Sequence, residues 1–443
     1  MTDSQRDVAT SEPAQPEPAA PSDPAALSLM PLLTPEGWAL LGSLPPYDEA
    51  EALRLAESLR AAGHAPALVA AALTQQRLRS RAAAKFGDFA QQMLFTPDGL
   101  EQATRLAVSA HHAARYAAAG AHRVADLGCG IGGDAMALAG LGLDVLAVER
   151  DEATAALATV NLMPFEGARV LRADALSVDL EAEGVDAVFA DPARRAGGRR
   201  LTDPEQWSPR LSEVLALRER VDAVGVKVAP GIDHALLPSD AHVQWVSVDG
   251  EVVEAGIWCG PLAPEGPGRS ALVLTTGADG EPRARRLADP ACTDPSAAPE
   301  QLEPVTGTAE IGEFLLEPDG AAIRAGLVAE LARRTASRPV GTRIAYLTGD
   351  TPPQASLAPF LRCWRVREVL PLNLKALRAR VRERGIGRLE IHKRGLPVSP
   401  DALRASLRLK GDGAETWVAT RVGVRDEHDR GAVLVVEPVS AER

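Results

Sequence analysis

Apolar positions repeat at helical spacing from Thr34 to about Gly120, and near Arg123 the pattern changes to short β-branched runs separated by helical stretches. The first region predicts a helical domain with one helix over Glu49–Ala62 and another opened by Thr96-Pro97-Asp98 and running to Tyr116. The second predicts strands at Arg123–Leu127, Leu143–Glu149, Ala168–Arg172, Val185–Ala190, Ala223–Val228 and His242–Val248, then Val252–Trp258 and Ala271–Thr275. Strands alternating with helices imply right-handed crossovers and a mainly parallel sheet, whereas the short Asp249-Gly250 link implies an antiparallel late pair. A Pro/Gly/Ala-rich stretch from Gly277 to Val305 reads as a linker. Beyond it a small α+β unit is expected, with strands at Ile344–Leu347, Leu389–Arg394, Thr416–Val422 and Ala432–Val436 and helices at Asn373–Arg384 and Pro400–Leu409. Residues 1–28, rich in Pro, Ala, Ser, Asp and Glu, are expected to be a disordered tail. The expected domains are therefore 29–120 (helical), 121–276 (Rossmann-like α/β) and 306–443 (α+β), with the linker at 277–305.

Composition narrows the classes. No apolar run approaches the ~20 residues of a membrane span, and the first thirty residues lack the basic start and apolar stretch of a secretory signal. Cys129, Cys259, Cys292 and Cys363 are widely spaced with no Cys-x-x-Cys pair, which argues against a zinc site or a disulfide framework and fits a reducing cytoplasm. No metal and no membrane partner are expected. The net charge is −12, yet residues 361–410 carry 14 Lys or Arg against 4 Asp or Glu, and 14 − 4 leaves +10 in one segment. That asymmetry suggests a face for a polyanion; a solvated helix face would read the same way. His111 and His112 lie on the last predicted N-terminal helix and read as surface or packing residues.

The densest chemical signal is Asp126-Leu127-Gly128-Cys129-Gly130-Ile131-Gly132-Gly133, where the first strand ends and a helix begins. Glycines there let the loop turn tightly and bring backbone amides against a ligand at the helix N-terminus. Gly128, Gly130 and Gly133 also satisfy the dinucleotide spacing, so the loop alone is ambiguous. Its neighbours favour a cationic ligand: Asp126 can hold an ammonium, and the loop has no Lys or Arg to meet a pyrophosphate. Glu149 ends the second strand, from which a carboxylate accepts ribose hydroxyls, and Asp174 follows the third, placed to accept from an adenine amino group. On these residues the segment resembles the class I S-adenosylmethionine-dependent methyltransferases. The resemblance implies S-adenosyl-L-methionine as cofactor and a seven-stranded sheet.

The fourth strand runs into Asp191-Pro192-Ala193-Arg194-Arg195-Ala196-Gly197-Gly198-Arg199-Arg200. It is similar to the Asp/Asn-Pro-Pro-aromatic motif of amino-methyltransferases, but Arg194 stands where that motif carries its aromatic. It also resembles the Asp-Pro-Pro-Arg of uracil-5 methyltransferases, which need a cysteine nucleophile downstream; the only such residue in this domain, Cys259, has the apolar flanks of a buried strand. Direct displacement is the remaining chemistry, with Asp191, Pro192 and Arg194 at the reacting corner and Asp191 also beside the cofactor. Arg194, Arg195 and Lys227, the last ending the fifth strand, are candidates to hold phosphate.

Leu370-Pro371-Leu372-Asn373-Leu374-Lys375, the Arg384–Gly395 run and Leu409-Lys410-Gly411-Asp412-Gly413 resemble the THUMP-like domain that accompanies an Asp-Pro-Ala-Arg-Arg methyltransferase in a family of bacterial proteins. True THUMP domains bind transfer RNA, so the resemblance implies an RNA substrate. Lys375, Arg378 and Arg382 line one helical face and Lys393 and Arg394 end a strand, a candidate phosphate track. The expected activity is methylation of transfer or ribosomal RNA. A small-molecule or protein acceptor, an RNA-binding protein with a regulatory cofactor pocket, and a nicotinamide oxidoreductase are the alternatives.

Overall fold

The change of hydrophobic period at Arg123 marks the start of a sheet. The computed structural model describes residues 24–196, 199–277, 279, 282–397, 399–424 and 431–439. Most of the expected tail lies outside them, but Pro24–Leu27 forms a helical turn whose Ala26 is buried in the core. Among the described residues, nine strands of four or more residues follow in the α/β region: β1 (Arg123–Leu127), β2 (Asp144–Glu149), β3 (Ala168–Arg172), β4 (Ala187–Ala190), β5 (Ala223–Val228), β6 (His242–Val248), β7 (Glu251–Trp258), β8 (Gly268–Thr276) and β9 (Pro282–Ala288). All eight expected strands are present, with ends shifted by at most three residues. The ninth, β9, lies in the stretch read as linker and pairs antiparallel with β8. The chain divides into two compact units, one of residues up to Ser109 plus Gly128–Val178 and the other of Ala110–Leu127 plus Asp179 onward.

In the smaller unit, helices α1 (Pro35–Ser43), α2 (Ala52–Ala61), α3 (Pro66–Phe86) and α4 (Pro97–Gln102) lead into α5 (Leu106–Ala118). Thr34 and Thr96 cap α1 and α4 through Gly37 N and Gly99 N, each with Pro in the first turn. The single helix expected from Thr96 to Tyr116 is broken between Gln102 and Leu106. The cause is tertiary: the Lys85 ammonium donates to the carbonyls of Leu100, Glu101 and Ala103, and Thr104 donates to Asp134, so the chain is held out of helical geometry there. Leu29, Leu32, Leu40, Leu41, Leu68 and Leu94 pack on Ala153 and Leu157 of α7 (Glu152–Leu162), which follows α6 (Gly133–Gly140) and β2. Strands β2 and β3 pair in parallel.

In the larger unit the strands run β9-β8-β6-β7-β5-β4-β1. Pairs β1/β4, β4/β5 and β6/β8 are parallel; β5/β7 and β6/β7 are antiparallel. The β6–β7 turn places Asp249 (φ 49°) and Gly250 (φ 85°) in the left-handed conformation, as a tight hairpin requires. The same unit carries α8 (Leu211–Ala216), α9 (Gly320–Arg324) and α10 (Val328–Arg334). It also holds a second sheet, ordered β11 (Arg338–Gly341), β12 (Ile344–Gly349), β10 (Phe314–Pro318), β13 (Leu361–Pro371), β16 (Gly431–Pro438), β15 (Gly413–Arg421) and β14 (Ile386–Arg394). Helices α11 (Leu374–Glu383) and α12 (Pro400–Leu407) bury Leu377, Val381, Leu403 and Leu407 against one of its faces. The other face closes on itself: Tyr346, Trp364, Val418 and Leu434 share a core, and Gly341 near one edge bridges to Gly423, just beyond β15. Among the described residues no helix is long and apolar enough to cross a membrane.

Candidate active site

The loop after β1 is shaped by its own backbone. Gly128 (φ 85°), Gly130 (φ 56°) and Gly132 (φ 85°) adopt left-handed conformations that a side chain would strain. The amides of Gly128 and Cys129 both donate to Val148 O, and Gly132 N-caps α6, which starts at Gly133. Space above Gly130 is open, whereas a Cβ on Gly132 would stand 3.2 Å from Leu162 Cγ. Glu149 accepts from Gly130 N (3.1 Å) through one carboxylate oxygen and from Asp151 N (2.8 Å) through the other, and burial pushes its pKa up. Asp174 is exposed and accepts from Leu176 N (2.9 Å), ordering the turn after β3. Two residues that sequence reasoning passed over hold this loop. Asn161 donates to Ile131 O and exchanges two hydrogen bonds with the Leu94 backbone, and Asp134 accepts from Thr104 and Ser109. Asp134 directly follows the glycine motif, but nothing local marked Asn161.

In the larger unit Asp126 is 1% exposed on β1, opposite Phe189 of β4. The register that sets Ala190 against Val226 brings the next pair, Asp191 and Lys227, side by side, and the Lys227 ammonium donates to Asp191 Oδ2. Lys227 is therefore not an open phosphate contact. Its side chain is 5% exposed against 26% for Asp191, so the lysine reaches the corner from inside. Pro192 is buried, and an Ala193–Ser208 bridge folds the following loop back. Arg194 is half-buried, and its Nη1 is a buried donor with no hydrogen-bond partner among the described residues. The Arg195 side chain lies outside the described residues. Beneath the corner, His112 is buried, paired with Glu254 at 2.7 Å and packed 5.3 Å from the Phe189 ring and 5.4 Å from that of Trp258. Tyr116 donates to Val188 O, and Gly225 leaves room for it: a Cβ there would meet the Tyr116 hydroxyl at 2.3 Å. Cys259 is buried, and burial pushes its thiol up to about 11, which disfavours the thiolate a covalent mechanism needs.

The expected basic track is mostly engaged internally. Arg394 pairs with Glu317 at 3.1 Å and lies over the Tyr346 ring, Arg378 donates to Ser406 O, and Lys393 donates to Leu396 O. Lys375 and Arg382 are exposed.

A THUMP domain-like family model matches residues 361–438, and a model for a domain of unknown function matches residues 26–82. Proteins of two Mycobacterium tuberculosis strains, each described as an uncharacterised S-adenosylmethionine-dependent methyltransferase, are 35% identical over 356 residues, 78% of this chain and 91% of theirs. The chain belongs to the S-adenosylmethionine-dependent methyltransferases. The fold agrees: the crystal structure of a Porphyromonas gingivalis W83 protein, assigned as a methyltransferase, superposes with a TM-score of 0.66 at 20% identity, covering 89% of this chain and all of that one. The methyltransferase is thus a class I α/β enzyme that uses S-adenosylmethionine, with a separate C-terminal sheet domain. Within the smaller unit, the Glu149 carboxylate on Gly130 N and an open glycine turn free of Lys or Arg suit a cationic sulfonium better than a pyrophosphate.

Proposed function

We propose that the enzyme methylates RNA, transfer or ribosomal, by direct displacement. In this reading Gly128, Gly130, Gly132 and Gly133 present backbone amides to the cofactor, Asp126 meets its ammonium, Glu149 its ribose and Asp174 its adenine. Bound adenosylmethionine would supply an electrophilic methyl on a sulfonium, with a neutral thioether leaving group that would keep the carbon–sulfur electron pair as the acceptor's lone pair bonds to the carbon. Asp191 accepts a hydrogen bond from the acceptor and takes its proton, directly or through water. Lys227 is the positioning residue, because an ammonium held from inside fixes the carboxylate without blocking its exposed edge. The backbone carbonyl preceding Pro192 offers a second acceptor at the same corner. Arg194, with its unengaged buried Nη1, supports a contact to an anionic group on the acceptor.

The observation that carries the RNA assignment is the C-terminal domain. It matches a THUMP domain-like model and holds the chain's concentrated positive charge within a protein of net charge −12. The test is transfer of labelled methyl from adenosylmethionine into total RNA from cells lacking this protein, followed by nucleoside mass spectrometry. Label in one modified nucleoside is the expected result. Cofactor binding without RNA label, and with label in protein or small molecules, would refute the RNA assignment and leave the methyltransferase intact.

A further inference from the structure

The Arg384–Arg388 and Arg408–Gly413 segments touch backbone to backbone. Lys410 N donates to Ile386 O (3.0 Å) and Gly413 N to Gly385 O (2.9 Å), and the parallel pairing of β14 with β15 starts there, Ile386 against Gly413 and Arg388 against Ala414. The approach depends on glycine. A Cβ on Gly387 would fall 1.8 Å from Gly411 O, and one on Gly411 2.1 Å from Gly385 O. With no side chains between them, the two segments clasp; Ile386 and Leu409 turn towards the domain core, while the basic side chains are left to solvent. Arg384, Arg388, Arg408 and Lys410 are all exposed, as is Arg382 in the last turn of α11.

These five cations differ from most of the neighbouring arginines in being unengaged. Arg380 pairs with Glu368 and Glu415, Arg365 with Glu313, Arg367 with Glu437, Arg394 with Glu317 and Arg404 with Asp401. Among the described residues the five make no ion pair and no side-chain hydrogen bond. The acidic residues interleaved with them in sequence are Glu383 and Asp412, so 5 − 2 leaves +3 on one edge of the domain. Arg408 adds an independent sign. It sits at the C-cap of α12 with φ 56°, in the left-handed region where glycine is the unstrained choice, so an arginine is held there at a conformational cost of about 1 kcal/mol. Gathering like charges from two chain segments without counterions is unfavourable until a polyanion arrives.

We infer that this glycine clasp is the phosphate-gripping element of the C-terminal domain, with Arg382, Arg384, Arg388, Arg408 and Lys410 contacting successive backbone phosphates of RNA. The inference rests on the RNA reading above. It relocates the phosphate track, of whose five expected residues only Arg382 belongs to the clasp. Guanidinium forks suit bidentate phosphate contact, and such contacts position RNA without reading bases.

The experiment uses the full chain and fluorescently labelled, unfractionated transfer RNA, with affinity measured across a salt series. The Arg384→Gln/Arg388→Gln/Lys410→Gln variant removes three phosphate contacts. The slope of log affinity on log salt should flatten by roughly 2–3, at about 0.7–0.9 per contact, and affinity near physiological salt should fall at least roughly tenfold. An Arg384→Lys/Arg388→Lys variant should keep the slope. Arg367→Gln, at a cation already paired with Glu437, should leave binding and methyl transfer unchanged. Unaltered adenosylhomocysteine affinity in the triple variant would show that the fold survives. If the wild type binds RNA with a steep salt dependence and the triple variant matches it, the clasp assignment is wrong while the RNA reading stands. If the wild type shows no salt-dependent RNA binding, both fall.

Discussion

Replacing Lys227 by methionine keeps the length and apolar stem of the side chain and deletes only the charge that meets Asp191. Breaking a buried ion pair from one side costs about 3–5 kcal/mol when the remaining charge is sealed from water. The Asp191 side chain keeps 26% of its exposure, so water partly replaces the lost ammonium and the expected loss is at the low end, about 2–3 kcal/mol. The reverse deletion, Asp191→Asn, leaves an ammonium only 5% exposed and should cost about 3–4 kcal/mol. In the double variant neither charge is stranded, so its loss should be smaller than the sum by about 2 kcal/mol. Denaturant unfolding followed by tryptophan fluorescence gives the three values at constant m. Methyl transfer should fall by at least roughly tenfold in kcat for Lys227→Met, with cofactor affinity within about threefold, because the lysine orients the carboxylate and not the cofactor. Additive single effects, each below about 1 kcal/mol, would refute the idea that the two side chains act as a pair.

Three further outcomes follow from the geometry. Cys259→Ala should leave methyl transfer within about twofold, since a buried thiol pushed up to about 11 offers no nucleophile; loss of turnover with retained cofactor binding would reopen covalent catalysis. Gly132→Ala, at φ 85° and with Leu162 3.2 Å from the new Cβ, should cost roughly 1–3 kcal/mol and weaken adenosylhomocysteine binding several-fold by calorimetry; unchanged affinity would detach the loop from the cofactor. The third concerns acid. Burial lowers the pKa of His242 to about 4, and Glu265 is held at about 2, where Arg115 and His242 outweigh the upward push of burial. Both folded values are depressed, so both stabilise at neutral pH. The histidine contribution drains away as pH falls from about 6.5 towards 4, and the glutamate contribution between about 4.5 and 2. A His242→Asn variant should lose the upper part of this acid decline in a melting-temperature profile, and an unchanged profile would refute the assignment.

The strands of the α/β region were legible because their β-branched runs alternate with helices, and the acidic residues at their ends could be named from position alone. Strand β9 was not, because Pro282–Ala288 carries three arginines and buries only Leu287: an edge strand with one paired side looks like a polar loop. Strand β13 escaped for a related reason, since Arg362, Arg365 and Arg367 read as part of a basic segment while Trp364 turns into the domain core. The helix break between Gln102 and Leu106 depends on Lys85, about fifteen residues upstream, which periodicity cannot register. At the site, sequence reasoning put Asp191 and Lys227 at the ends of the fourth and fifth strands but assigned the lysine to phosphate. Only the β4–β5 register reveals that it faces the carboxylate. The basic helix and strand were likewise read as one track, although Arg378, Lys393 and Arg394 are spent on internal contacts and the exposed charge gathers at the glycine clasp.

The most direct test of the central claim, methyl transfer onto RNA at the Asp191 corner, compares wild type with Asp191→Ala at saturating adenosylmethionine on RNA from cells lacking the protein. The account predicts label in RNA for the wild type, a loss of at least about a hundredfold for the variant, and adenosylhomocysteine affinity within about threefold for both. Equal labelling by the two proteins would contradict it and place the chemistry elsewhere in the enzyme.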